Sequence, residues 1–223
     1  PGFVGADIEN LVNEAAIVAA RKNKKSIAQR DFEEAVERVV LGPERKSRII
    51  SDEEKAIIAY HEGGHALVGY ALPNSDPIHK VSIIPRGVAA LGYTMQLPVS
   101  EKFLSTKNEL KDQIAILLGG RVAEEIIFNR VSTGAANDIM QATELAQKMV
   151  RNWGMSEKLG PRVFGQKEEL VFLGREIGEQ RDYSESVAEQ IDEEVHEIVA
   201  NAYTRTLDVL NTNRDKLDAV ADR

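Results

Sequence analysis

The sequence predicts a mainly α fold with one small β-hairpin. Three observations carry this reading. Apolar residues recur at helical spacing through six segments of the 223-residue chain. Ser51-Asp52-Glu53-Glu54 forms a Ser-x-x-Glu capping box directly ahead of an apolar run. One pair of β-prone runs flanks a single Pro-Arg-Gly turn.

Residues 6–22 and 30–41 read as amphipathic helices joined by the polar turn Asn23-Lys24-Lys25-Ser26, and together they are too short to build much of a core. Gly42-Pro43-Glu44-Arg45-Lys46-Ser47-Arg48 is a charged linker. The expected organisation is therefore a helical piece over 1–42, a linker over 43–50 and the main domain over 51–223. The capping box opens a helix through Ala56-Ile57-Ile58-Ala59-Tyr60 to Leu72. A hairpin follows, with strands at 80–84 and 91–97 around the turn Pro85-Arg86-Gly87. Helices at about 106–128, 136–153 and 183–210 complete the chain. Residues 155–182 are loop-rich, with one short strand expected at Leu170–Leu173.

Composition narrows the function. A 43% hydrophobic content suffices for a real core, and a net charge of −8 argues against nucleic acid as a partner, because a phosphate backbone selects basic faces. The absence of cysteine excludes disulfides, thiolate-bound zinc and thiol nucleophiles. The longest apolar run, Ala56 to Leu72, carries His61, Glu62 and His65 and is no membrane span. No signal peptide is evident. The chain opens at Pro1 directly before a helix pattern, so it is expected to be part of a longer protein.

The chemistry concentrates in His61-Glu62-Gly63-Gly64-His65, which fits H-E-x-x-H. On a helix this spacing sets two imidazoles one turn apart, about 6 Å along the axis, on one face. Both rings could bind one Zn²⁺, and Glu62 could take a proton from water at that metal. A solvated surface helix would explain the histidines equally, but the apolar flanks imply burial, and buried imidazole and carboxylate need partners. Gly63 and Gly64 each cost roughly 1 kcal/mol against Ala inside a helix, which suggests close approach of another element.

A catalytic zinc usually has a third protein ligand. The metzincin extension would need Gly and His where this chain has Val68 and Ala71. Asp138 is one candidate: it lies one turn ahead of the stripe Ala142, Leu145, Met149. Complementing its helix dipole is the alternative role, but Asp usually does so from an exposed face, so the ligand role is favoured. Glu124 and Glu125 are the rivals, on a helix apolar nearly all round. Arg121 could form an ion pair with one of them, and the other could accept the N–H of a ligand imidazole and fix its tautomer. His79 reads as an edge residue and His196 as solvated.

Five motifs in order resemble the FtsH family of membrane-anchored, ATP-dependent AAA+ zinc metalloproteases. Pro1-Gly2-Phe3-Val4-Gly5-Ala6-Asp7 followed by Asn10-Leu11-Val12-Asn13-Glu14-Ala15-Ala16 is similar to the end of the family's ATPase lid. Ala59-Tyr60-His61-Glu62-Gly63-Gly64-His65-Ala66 resembles its zinc motif, and Ser82-Ile83-Ile84-Pro85-Arg86-Gly87 its active-site strand. Leu118-Gly119-Gly120-Arg121-Val122-Ala123-Glu124-Glu125 and Thr133-Gly134-Ala135-Ala136-Asn137-Asp138-Ile139 also match. The resemblance covers essentially the whole chain and implies a helical zinc-peptidase domain preceded by part of an AAA+ lid.

The resemblance further implies one zinc per chain on His61, His65 and Asp138, with Glu62 as catalytic base. It implies ATP and Mg²⁺ only in a full-length protein, where Gly5 and Ala6 could touch the nucleotide; no G-x-x-x-x-G-K-[ST] occurs here. Unfolded or membrane proteins would be the substrates, added as a β-strand along Val81, Ser82, Ile83 and Ile84. That strand could equally serve only to pair with 91–97. The expected assembly is a hexameric ring on the cytoplasmic side of the bacterial inner membrane, with part of the stripe Val187, Ile191, Val195, Ile198, Ala202 between subunits. The family commonly has Ala at the position of Gly63, a difference expected to touch helix stability rather than chemistry. Two other readings compete with this one: a helical assembly module with structural zinc or no metal, and a zinc hydrolase of small amides.

Overall fold

The computed structural model describes residues 2–44, 50–86, 91–165 and 182–223. The fold is mainly helical, as expected, with one two-stranded sheet among the described residues. α1 (Gly5–Arg21) and α2 (Gln29–Leu41) pack as an antiparallel pair through Ala15, Val18, Ala19 and Ala35. Asp31 is fully buried in the first turn of α2; it accepts the Ala28 N–H at 2.9 Å and the Lys24 ammonium at 2.7 Å.

α3 (Asp52–Ala71) starts at the capping box the sequence announced. Ser51 Oγ accepts the Glu54 N–H at 3.2 Å, and Glu54 Oε2 accepts the Ser51 N–H at 3.1 Å. α4 (Lys107–Phe128) uses a second box, Thr106 with Glu109. The two helices pack against each other over most of their length.

Glycines explain how closely they pack. A Cβ on Gly64 would lie 2.3 Å from the Gly119 carbonyl oxygen, and one on Gly119 would lie 2.8 Å from the Gly64 oxygen. Backbone touches backbone, and no side chain can yield. Gly63 differs: its Cβ would meet only Leu217 Cδ1 at 3.4 Å and Val220 Cγ1 at 3.6 Å, an ordinary contact.

β1 (Ile78–Ser82) pairs antiparallel with β2 (Tyr93–Gln96), in the register Val81↔Thr94 and Ser82↔Tyr93. The sequence placed the first strand at 80–84, so it begins and ends two residues early. The physical reason lies in Ser82, whose Oγ accepts the Ile84 N–H at 3.1 Å and turns the chain off the ladder, while Pro85 has no N–H to return to it. Ile83 and Ile84 are exposed beyond the strand end.

A 3₁₀ turn at Thr133–Ala135 leads into α5 (Ala136–Arg151). That helix stops two residues before the expected 153. Gly154 at φ +59° lets Met155 N–H reach back to the Met149 carbonyl at 2.9 Å. α6 (Glu185–Thr212) is capped by Ser184, and a helix absent from the sequence reading, α7 (Arg214–Ala221), follows it. Eight residues are too few to show a period. α7 is held by Leu217 in the core and by the Tyr60 hydroxyl, which donates to Asp218 at 3.0 Å. The main core runs through α3, α4, α5, α6 and α7, with Val68, Ile114, Val122, Ala146, Met149 and Leu210 fully buried. The strand expected at Leu170–Leu173 lies outside the described residues. Among the described residues no helix is long and apolar enough to cross a membrane.

The two neighbouring glycines should respond oppositely to alanine. Gly63→Ala is expected to raise stability by about 0.5–1 kcal/mol through helix propensity, whereas Gly64→Ala should destabilise by roughly 2 kcal/mol or more through overpacking. Denaturant unfolding of both variants checks this; equal effects would show that the α3–α4 contact is not backbone-limited.

Candidate metal centre

α3 is buried along the face that carries its histidines; α4 packs over that face, and α5, packed on α4, reaches it through the Asp138 side chain. His61 Nε2 and His65 Nε2 lie 3.0 Å apart. Asp138, in the first turn of α5, brings Oδ2 to 3.3 Å from the first and 3.7 Å from the second. Ligand atoms of a tetrahedral zinc with bonds of ~2.0–2.1 Å stand about 3.3–3.4 Å apart, so the three observed separations bracket the edge such a metal needs. His61, His65 and Asp138 are thus a group that could hold a metal ion.

The remaining ring nitrogens settle the tautomers. Glu124 Oε1 lies 2.7 Å from His61 Nδ1, and the Ile116 carbonyl oxygen lies 2.7 Å from His65 Nδ1. Both partners accept only, so each neutral ring carries its proton on Nδ1 and turns a lone pair on Nε2 toward the other and toward Asp138. With both rings neutral, three lone pairs converge with no donor among them, an arrangement chemically matched to a cation. Glu124 is itself held by the Ser132 N–H, 2.8 Å from Oε2. Gly120 gives the His61 ring its space, since a Cβ there would come within 2.5 Å of Cε1 and Nε2.

Comparison with known proteins agrees with this geometry. Residues 48–223 match peptidase family M41, and residues 1–34 match the AAA+ lid domain. The chain belongs to peptidase family M41. This M41 chain is 58% identical over 99% of its length to the ATP-dependent zinc metalloprotease FtsH 1 of Sphaerobacter thermophilus, covering 34% of that protein. It is 56% identical over 100% of its length to the ATP-dependent zinc metalloprotease FtsH of Thermotoga maritima, covering 36% of it. The chain therefore spans about a third of the length of these curated relatives. The FtsH resemblance read from five motifs agrees with both findings.

Charge in the M41 site is divided unevenly. Burial opposes a positive His61, but the hydrogen bonds it donates to Asp138 and Glu124 outweigh it and raise its pKa to about 9. Burial pushes the Asp138 and Glu124 carboxyls up, yet the imidazoles and the Ser132 N–H hold both below their usual values. Glu62 behaves differently: burial raises its pKa, against the pull of His65 and of the Thr94 hydroxyl. A buried carboxylate kept basic beside a metal-ligand cluster is suited to accept a proton.

Other expected residues sit as follows. Glu125 is next to the site in sequence but not in space: its Oε2 is buried without a hydrogen bond among the described residues. Burial, and then Glu125, raise the pKa of the Tyr203 hydroxyl. The expected ion pair of Arg121 with Glu124 or Glu125 is not present among the described residues; the carboxylate of Glu124 is taken by His61 and Ser132 instead. Arg86, from the motif likened to an active-site strand, turns away from the metal cluster toward Glu37 of α2 at 2.7 Å. His196 is exposed, as read; His79, read as an edge residue ahead of the strand, is exposed within β1. Gly5 and Ala6 open α1 and are exposed.

Sequence reasoning missed the Ile116 carbonyl, the Ser132 N–H, and Thr94 beside Glu62. Two of these are backbone groups, which no side-chain pattern can announce.

Metal uptake by this cluster should release protons. Since the metal-free His61 is protonated below about 9, zinc at pH 7 must displace close to one proton, and apparent affinity should rise roughly tenfold per pH unit toward pH 9. Zinc titration calorimetry in buffers of differing ionisation enthalpy reads this directly; no proton release at pH 7 would refute it.

Proposed function

We propose that this chain is the peptidase part, with a piece of the ATPase lid, of an ATP-dependent zinc metalloendopeptidase. The observation that carries the reading is the convergence of His61, His65 and Asp138 on one point beside the buried carboxylate of Glu62. Three candidate ligands with no fourth among the described residues suit a catalytic site better than a structural one, which is normally closed by four. The lid piece and the peptidase domain divide in this reading within residues 43–50.

His61, His65 and Asp138 would hold one zinc per chain. Zinc, when bound, supplies Lewis acidity, which makes water nucleophilic near neutral pH and polarises the scissile carbonyl. Glu62 accepts the proton that the attacking water gives up, and delivers it to the leaving amine. Glu124 fixes the His61 ring through Nδ1, and the Ile116 carbonyl does the same for His65.

The substrate reading is an extended, unfolded polypeptide, membrane proteins included. β1 is bonded to β2 along one edge, and among the described residues no strand covers its other edge. A substrate chain adding there along Val81 and Ser82 toward Ile83 and Ile84 would be gripped by backbone hydrogen bonds that ignore sequence. The relatives' names carry ATP dependence; in the longer protein ATP and Mg²⁺ would be bound mainly by segments outside this chain, with Gly5 and Ala6 at the margin. A homo-oligomeric ring, hexameric, on the cytoplasmic face of the bacterial inner membrane completes the proposal.

Two outcomes test it. Glu62→Gln should keep its zinc and lose about 10²–10⁴-fold in peptide cleavage, while Asp138→Ala should lose most of its zinc under the same dialysis. An active Glu62→Gln protein would end the base assignment, and zinc retained by Asp138→Ala would end the ligand set. The strand is tested separately by Ile83→Pro, which deletes a backbone donor beyond the β1–β2 ladder. Loss of about one hydrogen bond's worth, roughly fivefold in kcat/KM, is expected; unchanged cleavage by the folded variant would remove the added-strand reading.

A further inference from the structure

The Glu62 side chain is gripped by protein at one point. Thr94 Oγ1 lies 2.9 Å from Glu62 Oε2 and 3.0 Å from the Glu62 carbonyl oxygen. A single hydroxyl thus bridges the head of the side chain and the backbone from which it grows, and this fixes the torsions between them. Among the described residues Oε1 takes no hydrogen bond.

The strand that carries Thr94 is itself held from several directions. Val81 pairs with Thr94 in the ladder. Tyr93, on the opposite face, donates its hydroxyl to Glu37 at 3.0 Å. Gln96, on the face of Thr94, donates to Ser75 Oγ at 2.7 Å and to the Asp76 carbonyl at 3.1 Å. Gly92 completes the fit: a Cβ there would come 2.8 Å from Cγ and from Oε1 of Glu62, and equally close to Ile58 Cγ2. The side chain therefore lies between a hydroxyl that holds one oxygen and a glycine that leaves room for the other.

From these contacts we infer that Thr94 is a positioning residue for peptide hydrolysis, whose hydroxyl holds Glu62 in the rotamer that presents Oε1 to the attacking water. The inference rests on Glu62 being the base. A glutamate free to rotate would spend most of its time out of reach, and misplacement by about 1 Å can cost 10²-fold in rate. A threonine kept only for strand packing would be replaceable by valine, which has its shape and greater β propensity.

Thr94→Val, Thr94→Ser, Gly92→Ala and Glu62→Gln should be compared in the full chain for kcat, KM, zinc content and melting temperature, with an unfolded protein as substrate. The valine variant should lose about ten- to a hundredfold in kcat with KM and zinc unchanged, and serine should restore most of it. Gly92→Ala should lose kcat with zinc retained. Valine within twofold of the parent, beside an inactive Glu62→Gln, would overturn the role of Thr94 and leave Glu62 as base. An active Glu62→Gln would overturn both. Should valine also disturb zinc or folding, serine decides: parental kcat supports the hydroxyl's role, and a rate as low as valine's overturns it.

Discussion

The contact on which the rest depends is that of α3 with α4 at Gly64 and Gly119, where main chain lies directly on main chain. Only at that separation can a carboxylate on α4 reach the ring nitrogen of His61, and a carbonyl of α4 reach that of His65. Both tautomers, and hence the direction of both Nε2 lone pairs, follow from it. A methyl group between the helices would move every one of these partners. The cost of Gly64 and Gly119 inside their helices is offset by what the close approach makes possible.

Around this contact the fold buries more negative than positive charge. Glu62, Glu124 and Asp138 are carboxylates, and the two imidazoles in their neutral forms offset none of it. Burial alone would raise all three carboxyl pKa values, yet only that of Glu62 rises. Hydrogen-bond donors make the difference: Glu124 and Asp138 each face an imidazole, whereas Glu62 has a neutral hydroxyl. The same excess of negative charge that makes His61 retain a proton in the metal-free state makes the cluster a natural place for a divalent cation.

A second buried ionic group ties the hairpin to the helical piece before it. Arg86 is almost fully enclosed, and its guanidinium meets Glu37 at 2.7 Å, Glu44 at 2.9 Å and the Gly42 carbonyl at 3.2 Å. Lys80 and Tyr93 reach the same Glu37 carboxylate, which they and Arg86 hold ionised against burial. The segment read as a charged linker is thus anchored at its start through Glu44. Tyr93 and Thr94, neighbours on β2, point to the two systems in turn: one to α2, the other to Glu62.

The sequence alone determined the helices, the capping box at Ser51, the H-E-x-x-H face and the hairpin, because each is a local pattern of period or spacing. It also narrowed the third ligand to three acids, and the resemblance of its motifs singled out Asp138. Tertiary structure decided what remained. It set Glu124 rather than Glu125 against His61, took neither to Arg121, ended β1 at Ser82, and added α7. It also put Thr94 on Glu62 across thirty-two residues of chain. None of these is written in local periodicity, because each depends on which side chains the touching backbones of α3 and α4, and the hairpin laid beside them, leave within hydrogen-bond reach.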